Sequence, residues 1–402
     1  TLGLTQHDQI ASAVDNVSRP FNPNEPSLDD LAAADSDYQD SFAEYGDAAI
    51  VVVGRPSTEN QDYLPGWAGE SEDVKNGNST VGSRVTDNLG AEEPLQLTRN
   101  ERDIIELAKD RFDKVIVLVN TNSTMEIDAL EEDPEIDSVL WIGHPGAYGM
   151  PGVGDILVGK ANPSGGLSDI YAANNLSHPA MMNMGWYRFA NMSRGSNPEI
   201  TRESQYSDSY LIEAEGIYVG YRYFETRYND VVIQEGNAAS SAGVYESQGT
   251  WNYGDEVTYP FGYGMSYTQF EQEIMDIEIE QLPHEIYAHI TVRVTNTGDV
   301  AGRTSVQIYG QAPYEHGVTT VEKAAIQLLA FDKTDVIQPG DDATLEIEVD
   351  LANLASYDNT VENNDGTTGT YIFEDGEYYF ALGYDNENHV TGAHAALNNV
   401  LA

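Results

Sequence analysis

The chain contains no cysteine, which excludes disulfides, thiolate metal ligands and a cysteine nucleophile. Many exported bacterial proteins also lack cysteine, so this absence does not assign a compartment; a secreted or cell-surface bacterial protein is the reading preferred over a cytoplasmic one. Basic residues are scarce. Lys and Arg together number 19 against 67 Asp and Glu, a formal charge of −48, and Arg outnumbers Lys by 13 to 6. Such a field repels nucleic-acid phosphates and anionic lipid surfaces, so nucleic acid is not expected as a partner. A neutral ligand such as a sugar is indifferent to it. No run approaches the roughly 18 apolar residues that would cross a bilayer, so no membrane-spanning segment is expected. The first residue, Thr1, follows no basic, apolar leader, and a trimmed N-terminus is the expectation. No internal repeat is visible.

At 402 residues with 40% hydrophobic content, the chain can build two or three cores. Residues 1–40 are polar and broken by Pro20, Pro23 and Pro26, with Asp29, Asp30, Asp35, Asp37 and Asp40 along a short helical stretch. They read as an incomplete edge. Residues 48–54 form an apolar run ending in Gly54, the pattern of a strand buried on both faces of a parallel sheet. A helix is predicted over 97–112, opened by Thr98 with Glu101 three residues on, a capping box, and presenting Ile104, Ile105, Leu107, Ala108 and Phe112 along one face. A second buried strand follows at 114–120, a short helix at 125–130, a third strand at 138–143 and one more helix at 153–158. This β-α-β-α-β alternation predicts a parallel α/β layer.

From Phe270 the period changes to two. Strands are predicted at 286–295, 304–309, 344–349 and 376–382, with residues 294–302 as a hairpin and Pro339-Gly340 as a turn. That is a small β-sandwich.

Two further stretches carry a signature. Residues 213–227 include Tyr218, Tyr221, Tyr223, Phe224, Glu225 and Arg227, and residues 259–270 interleave Tyr259, Phe261, Tyr263 and Tyr267 with Gly262 and Gly264. Glycines there permit backbone angles closed to other residues, and tyrosines bury a ring while keeping a polar tip. Together they resemble the rear half of a family 3 glycoside hydrolase. The resemblance spans roughly residues 40–402. It implies a parallel-sheet α/β sandwich over 1–265 with its N-terminal part incomplete, a fibronectin-III-like β-sandwich over 266–385, and a connector over 386–402 like that of members whose barrel follows the sandwich.

The loop after the first strand holds Glu59, Asp62 and Trp67, with Glu70 and Glu72 as rival carboxylates. In doubly wound sheets ligands sit beyond the carboxyl ends of the strands, which is where this loop begins. In family 3 a Glu on such a Gly-Arg-containing loop is the general acid/base, and an Asp follows a few residues later. Position by position, the resemblance puts Glu59 in the catalytic place and Asp62 in that of the later Asp. Thr58 and Asn60 stand where the family often has Gly. Trp67 is the candidate to wall the carboxyl group or to stack on a sugar ring.

The histidines are scattered without metal-ligand spacing, and no Gly-x-Ser-x-Gly elbow occurs. Neither a metal nor another cofactor is expected. A retaining glycosidase needs two carboxylates about 5 Å apart, and in family 3 the nucleophilic Asp lies in a (β/α)8 barrel. No such barrel is visible in this sequence. The reading is therefore a fragment or subunit of a retaining exo-β-glycosidase, most simply a β-glucosidase, inactive alone and completed by a barrel polypeptide or domain. A two-domain active site also implies apolar and aromatic surface on the α/β domain. The alternative is a noncatalytic carbohydrate-binding or scaffold module.

Overall fold

The computed structural model describes residues 26–55, 95–183, 215–230, 251–314, 319 and 321–401. The chain forms two compact units, one from residues 1–147 and 172–214, the other from 148–171 and 215–402.

The first unit is built on a parallel sheet. Strands β1 (Ala49–Arg55), β2 (Val115–Thr121) and β3 (Ser138–Trp141) lie in sequence order, with Val53 opposite Val119 and Val119 opposite Trp141. Val53, Val117 and Val119 are fully buried. β1 departs from the expected strand buried on both faces. Ile50 and Val52 are 37% and 42% exposed, so their face of the strand is open. The apolar run sets strand type, but it does not say which face another layer covers.

Helix α1 (Leu28–Ala34) starts at Ser27, whose hydroxyl and the Asp30 carboxylate form a capping box. The longer α2 (Arg99–Arg111) starts at Thr98, whose hydroxyl accepts from the Glu101 amide at 3.2 Å. Ile105 and Ala108 are buried on the predicted face. The expected helix at 125–130 is a single turn, α3 (Asp128–Glu131), because Glu126 is taken into a parallel bridge with Gln96. The helix expected at 153–158 begins earlier: α4 spans Gly146–Leu157 with Pro151 inside it. Four glycines and a proline lower its intrinsic helix propensity, so the pattern shows only its last turn.

The second unit holds the β-sandwich. One sheet places β5 (Ile286–Asn296) between β4 (Phe270–Gln281) and β8 (Asp342–Asp350); the other places β6 (Ser305–Gln311) between β7 (Gln327–Lys333) and β11 (Tyr379–Leu382). All four pairings are antiparallel. Ala288, Ile290, Val292 and Val294 from one sheet pack against Val306 and Ile308 from the other, each at zero exposure. Full burial of a Val or Ile side chain stabilises by about 1.5–3 kcal/mol, so this seam fixes the register.

Residues 294–302 are not a hairpin. They join β5 to β6 across the two sheets, and buried Asn296 organises the arch: its Nδ2 donates to Val300 O and Ile337 O, both at 2.9 Å, while its Oδ1 accepts from Thr268 Oγ1 at 2.8 Å. Period-two runs on either side of a turn look alike whether the strands pair or face each other. A separate antiparallel hairpin is formed by β9 (Ser356–Glu362) and β10 (Thr368–Ile372).

Candidate active-site loop and its anchorage

Glu59, Asp62 and Trp67 lie outside the described residues, as do the rivals Glu70 and Glu72. Both ends of the segment that carries them are described. It leaves β1 at Arg55 and returns at Leu95, just before α2.

Arg55 is the last residue of β1, and its side chain is fully buried. Its guanidinium forms a two-pronged ion pair with the equally buried Glu101: Nη2 donates to Oε2 at 2.9 Å and Nη1 to Oε1. Nη2 also donates to Gln96 O at 2.5 Å, and Nη1 to Gly54 O at 2.8 Å. The planar guanidinium can serve these acceptors together, which the point charge of a lysine could not do. Glu101 in turn accepts from the Thr98 amide at 2.7 Å, so one carboxylate caps α2 and neutralises Arg55.

The returning end is held a second time. Glu126 N donates to Leu95 O at 3.0 Å, and Glu126 Oε1 accepts from Asn175 N at 2.8 Å. Because β1 and β2 are parallel, Arg55 and Thr121 end side by side in register. Both ends of the loop are thus pinned at the carboxyl edge of the sheet, where a side chain can be presented to a ligand. Glu101, consumed by its ion pair and cap, is structural.

Sequence reasoning identified Glu101 only as a helix cap and missed its partner. A clue was available: the β-branched run and its closing Gly54 are followed directly by an Arg.

His178 lies three residues beyond Asn175 in the same unit. Burial pushes its imidazole down to about 4, so it is neutral near pH 7. Among the described residues no three His, Asp or Glu side chains gather as a metal site, and no helix is long and apolar enough to cross a membrane.

The two signature stretches serve the fold. Helix α5 (Tyr221–Tyr228) buries Glu225, which accepts from Tyr253 OH at 2.5 Å and meets His394 Nδ1 at 3.0 Å on helix α6 (Ala393–Leu401). Tyr221 stacks on Phe261 at 4.4 Å, and Arg227 lies over the Trp251 ring at 5.4 Å. Gly262 has φ +79°, and a Cβ there would stand 2.3 Å from Gln307 Oε1. Its carbonyl accepts from Gln307 Nε2 at 2.9 Å and Thr391 Oγ1 at 2.5 Å. The glycine lets the turn close onto β6.

The model for the glycosyl hydrolase family 3 C-terminal domain matches residues 4–267, and that for a fibronectin type III-like domain matches residues 304–385. A beta-glucosidase A of Butyrivibrio fibrisolvens is 30% identical over 375 residues, covering 89% of this chain and 38% of that protein. A beta-glucosidase of Ruminococcus albus is 30% identical over 346 residues, covering 85% of this chain and 28% of that protein. Among solved structures, a beta-glucosidase from Paenibacillus barengoltzii superposes with a TM-score of 0.62 at 27% identity, over 90% of this chain and 31% of that one. The chain therefore spans about a third of the length of the relatives it matches.

Proposed function

Since the chain belongs to glycoside hydrolase family 3, we propose that it supplies the general acid/base, Glu59, of a retaining exo-β-glycosidase acting on β-glucosides. The observation that carries this reading is the anchorage by Arg55. It ties both ends of the Glu59 segment to the carboxyl edge of a parallel sheet, in a chain whose relatives include named beta-glucosidases.

In the proposed reaction an Asp on a (β/α)8 barrel, outside these 402 residues, attacks the anomeric carbon. The Glu59 carboxylic acid protonates the departing glycosidic oxygen, and its carboxylate then takes a proton from the water that releases the sugar. The two carboxyl groups must stand about 5–5.5 Å apart for retention, so the barrel has to close against this loop. Asp62 would accept hydrogen bonds from the sugar hydroxyls, and Trp67 would offer a ring to its C–H face. An acid without the nucleophile forms no glycosyl-enzyme, so these 402 residues alone should not turn over.

Mass spectrometry of the native assembly tests the proposal. A barrel carrying a nucleophilic Asp, held in the same particle or the same longer polypeptide, supports it; a particle that hydrolyses β-glucosides with no barrel in it refutes it.

A further inference from the structure

The segment that carries Glu59 returns at Leu95 and Gln96, and Glu126 meets it there. Glu126 N donates to Leu95 O at 3.0 Å, and residues 96 and 126 form a parallel bridge. Arg55 Nη2 donates to Gln96 O. Arg55 thus ties the return point to the strand from which the segment departs, whereas Glu126 ties it to the turn that follows β2. That turn is stiff. Thr121 Oγ1 donates to Ser123 O and accepts from Ser123 N, both at 2.9 Å, and Trp141 Nε1 on β3 donates to Thr121 O at 2.8 Å. Met125 and Ile127, the neighbours of Glu126, are both buried.

Glu126 is itself buried, and its side chain reaches a third stretch of chain: Oε1 accepts from Asn175 N at 2.8 Å. Asn175 opens the short turn Asn175–Ser177, and the first amides of a helical turn find no acceptor within it. Asn174 Oδ1 takes the Leu176 amide at 2.9 Å, and the Glu126 carboxylate takes that of Asn175. A carboxylate is a strong acceptor for a backbone N–H. One buried side chain therefore braces the return point against a part of the first unit that Arg55 does not touch through any of the bonds just described.

We propose that Glu126 is a positioning residue for the acid/base, fixing the returning end of the Glu59 segment through its bond to the Asn175 amide; the proposal rests on the reading of Glu59. A general acid has to stand within hydrogen-bond reach of the oxygen it protonates, and a misplacement of about 1 Å can cost about 10²-fold. Groups that orient an acid without touching the substrate act by holding its support rigid. The loss on removing Glu126 should therefore follow how much protonation the leaving group needs. Damage to the fold at large would slow every substrate alike.

The test compares kcat/KM of the assembled enzyme on cellobiose and on a dinitrophenyl β-glucoside, whose leaving group needs little protonation. Glu126→Ala should lose about tenfold on cellobiose and stay within about twofold on the aryl glucoside. Glu126→Gln keeps the Oε1 acceptor and should recover most of the loss. Asn175→Pro removes only the donor N–H from the backbone, at a first turn position that accepts proline and after an extended Asn174, and should reproduce the selective loss. In a Glu59→Ala background Glu126→Ala should cost nothing further on cellobiose. Hydrogen exchange on the chain alone reads the brace without the barrel: Glu126→Ala should speed exchange of the Asn175 amide by about tenfold or more, and Glu126→Gln should not. Equal losses on both substrates, a further loss on top of Glu59→Ala, a glutamine variant as impaired as the alanine one, or unchanged exchange at Asn175 would each overturn the proposal while leaving Glu59 as the acid. Glu59→Ala that shows no leaving-group dependence would instead refute the acid/base reading, and this proposal with it.

Discussion

Arg55 at the end of β1 and Glu101 in the first turn of α2 form a two-pronged ion pair across 46 residues of sequence, with both side chains wholly buried. Buried pairs seldom add much net stability, yet removing one partner strands the other charge without water. Arg55→Met alone should therefore cost about 3–5 kcal/mol. The Arg55→Met/Glu101→Leu double variant should cost clearly less than Arg55→Met. Urea unfolding of the four members of the cycle gives the coupling; strictly additive losses would show that the two charges do not depend on each other.

Glu59→Ala in the assembled enzyme should slow β-glucosides with poor leaving groups by about 10²- to 10⁴-fold, the usual scale of general acid catalysis. Aryl glucosides with activated leaving groups should lose less in their first step, because they need little protonation. Azide should restore part of the turnover and yield the β-glycosyl azide. If Glu59→Ala retains activity on cellobiose-like substrates and Glu70→Ala or Glu72→Ala abolishes it, the acid lies further along the loop.

The part of the fold carried by local pattern was legible in the sequence. Apolar runs gave β1 and β2, and Thr98 with Glu101 gave the start of α2. What escaped depends on contacts distant in sequence. Nothing local says that Ile50 and Val52 face an open side, that Asn296 turns an arch between sheets, or that Glu101 serves Arg55 as well as its own helix. Glu59 is a different case. Its position after an apolar strand is suggestive, but only the family resemblance singles it out from Glu70 and Glu72.

Acid should weaken the first unit through His178. Its imidazole is held down at about 4 by burial, against about 6.5 in an unfolded chain, so between these values the unfolded state binds the extra proton. The stabilisation is whole above pH 6.5 and is lost as pH falls toward 4, reaching up to about 3 kcal/mol. Replacing it with Gln removes that titration. The stability of His178→Gln should fall less between pH 6.5 and 4 than that of the wild type in chemical denaturation; parallel curves would place the acid sensitivity elsewhere.

The outer face of the β8-β5-β4 sheet leads to a salt dependence. Register sets Glu348 beside His289 beside Glu278, Glu346 beside Thr291 beside Asp276, and Asp350 beside Tyr287 beside Glu280. Arg293 answers Glu273 at 2.5 Å and His289 meets Glu280 at 3.1 Å, which leaves carboxylates on both outer strands in excess. The Tyr287 phenol reports the field: Glu285 first, and then Asp350 and Glu348, help to hold it above its usual range. Neighbouring strands are about 4.8 Å apart, so carboxylates on β4 and β8 lie roughly 10 Å from each other. That is about one Debye length at 0.1 M salt and a third of one at 0.01 M. Repulsion should therefore grow steeply as salt is withdrawn, and the melting temperature should fall by about 5 °C or more between 0.5 M and 0.01 M KCl. Glu278→Gln/Glu348→Gln should flatten that dependence, because it removes two like charges from one row. An uncharged osmolyte substituted for KCl should not restore the lost stability; full restoration by sucrose would make the effect one of solvent exclusion rather than of charge.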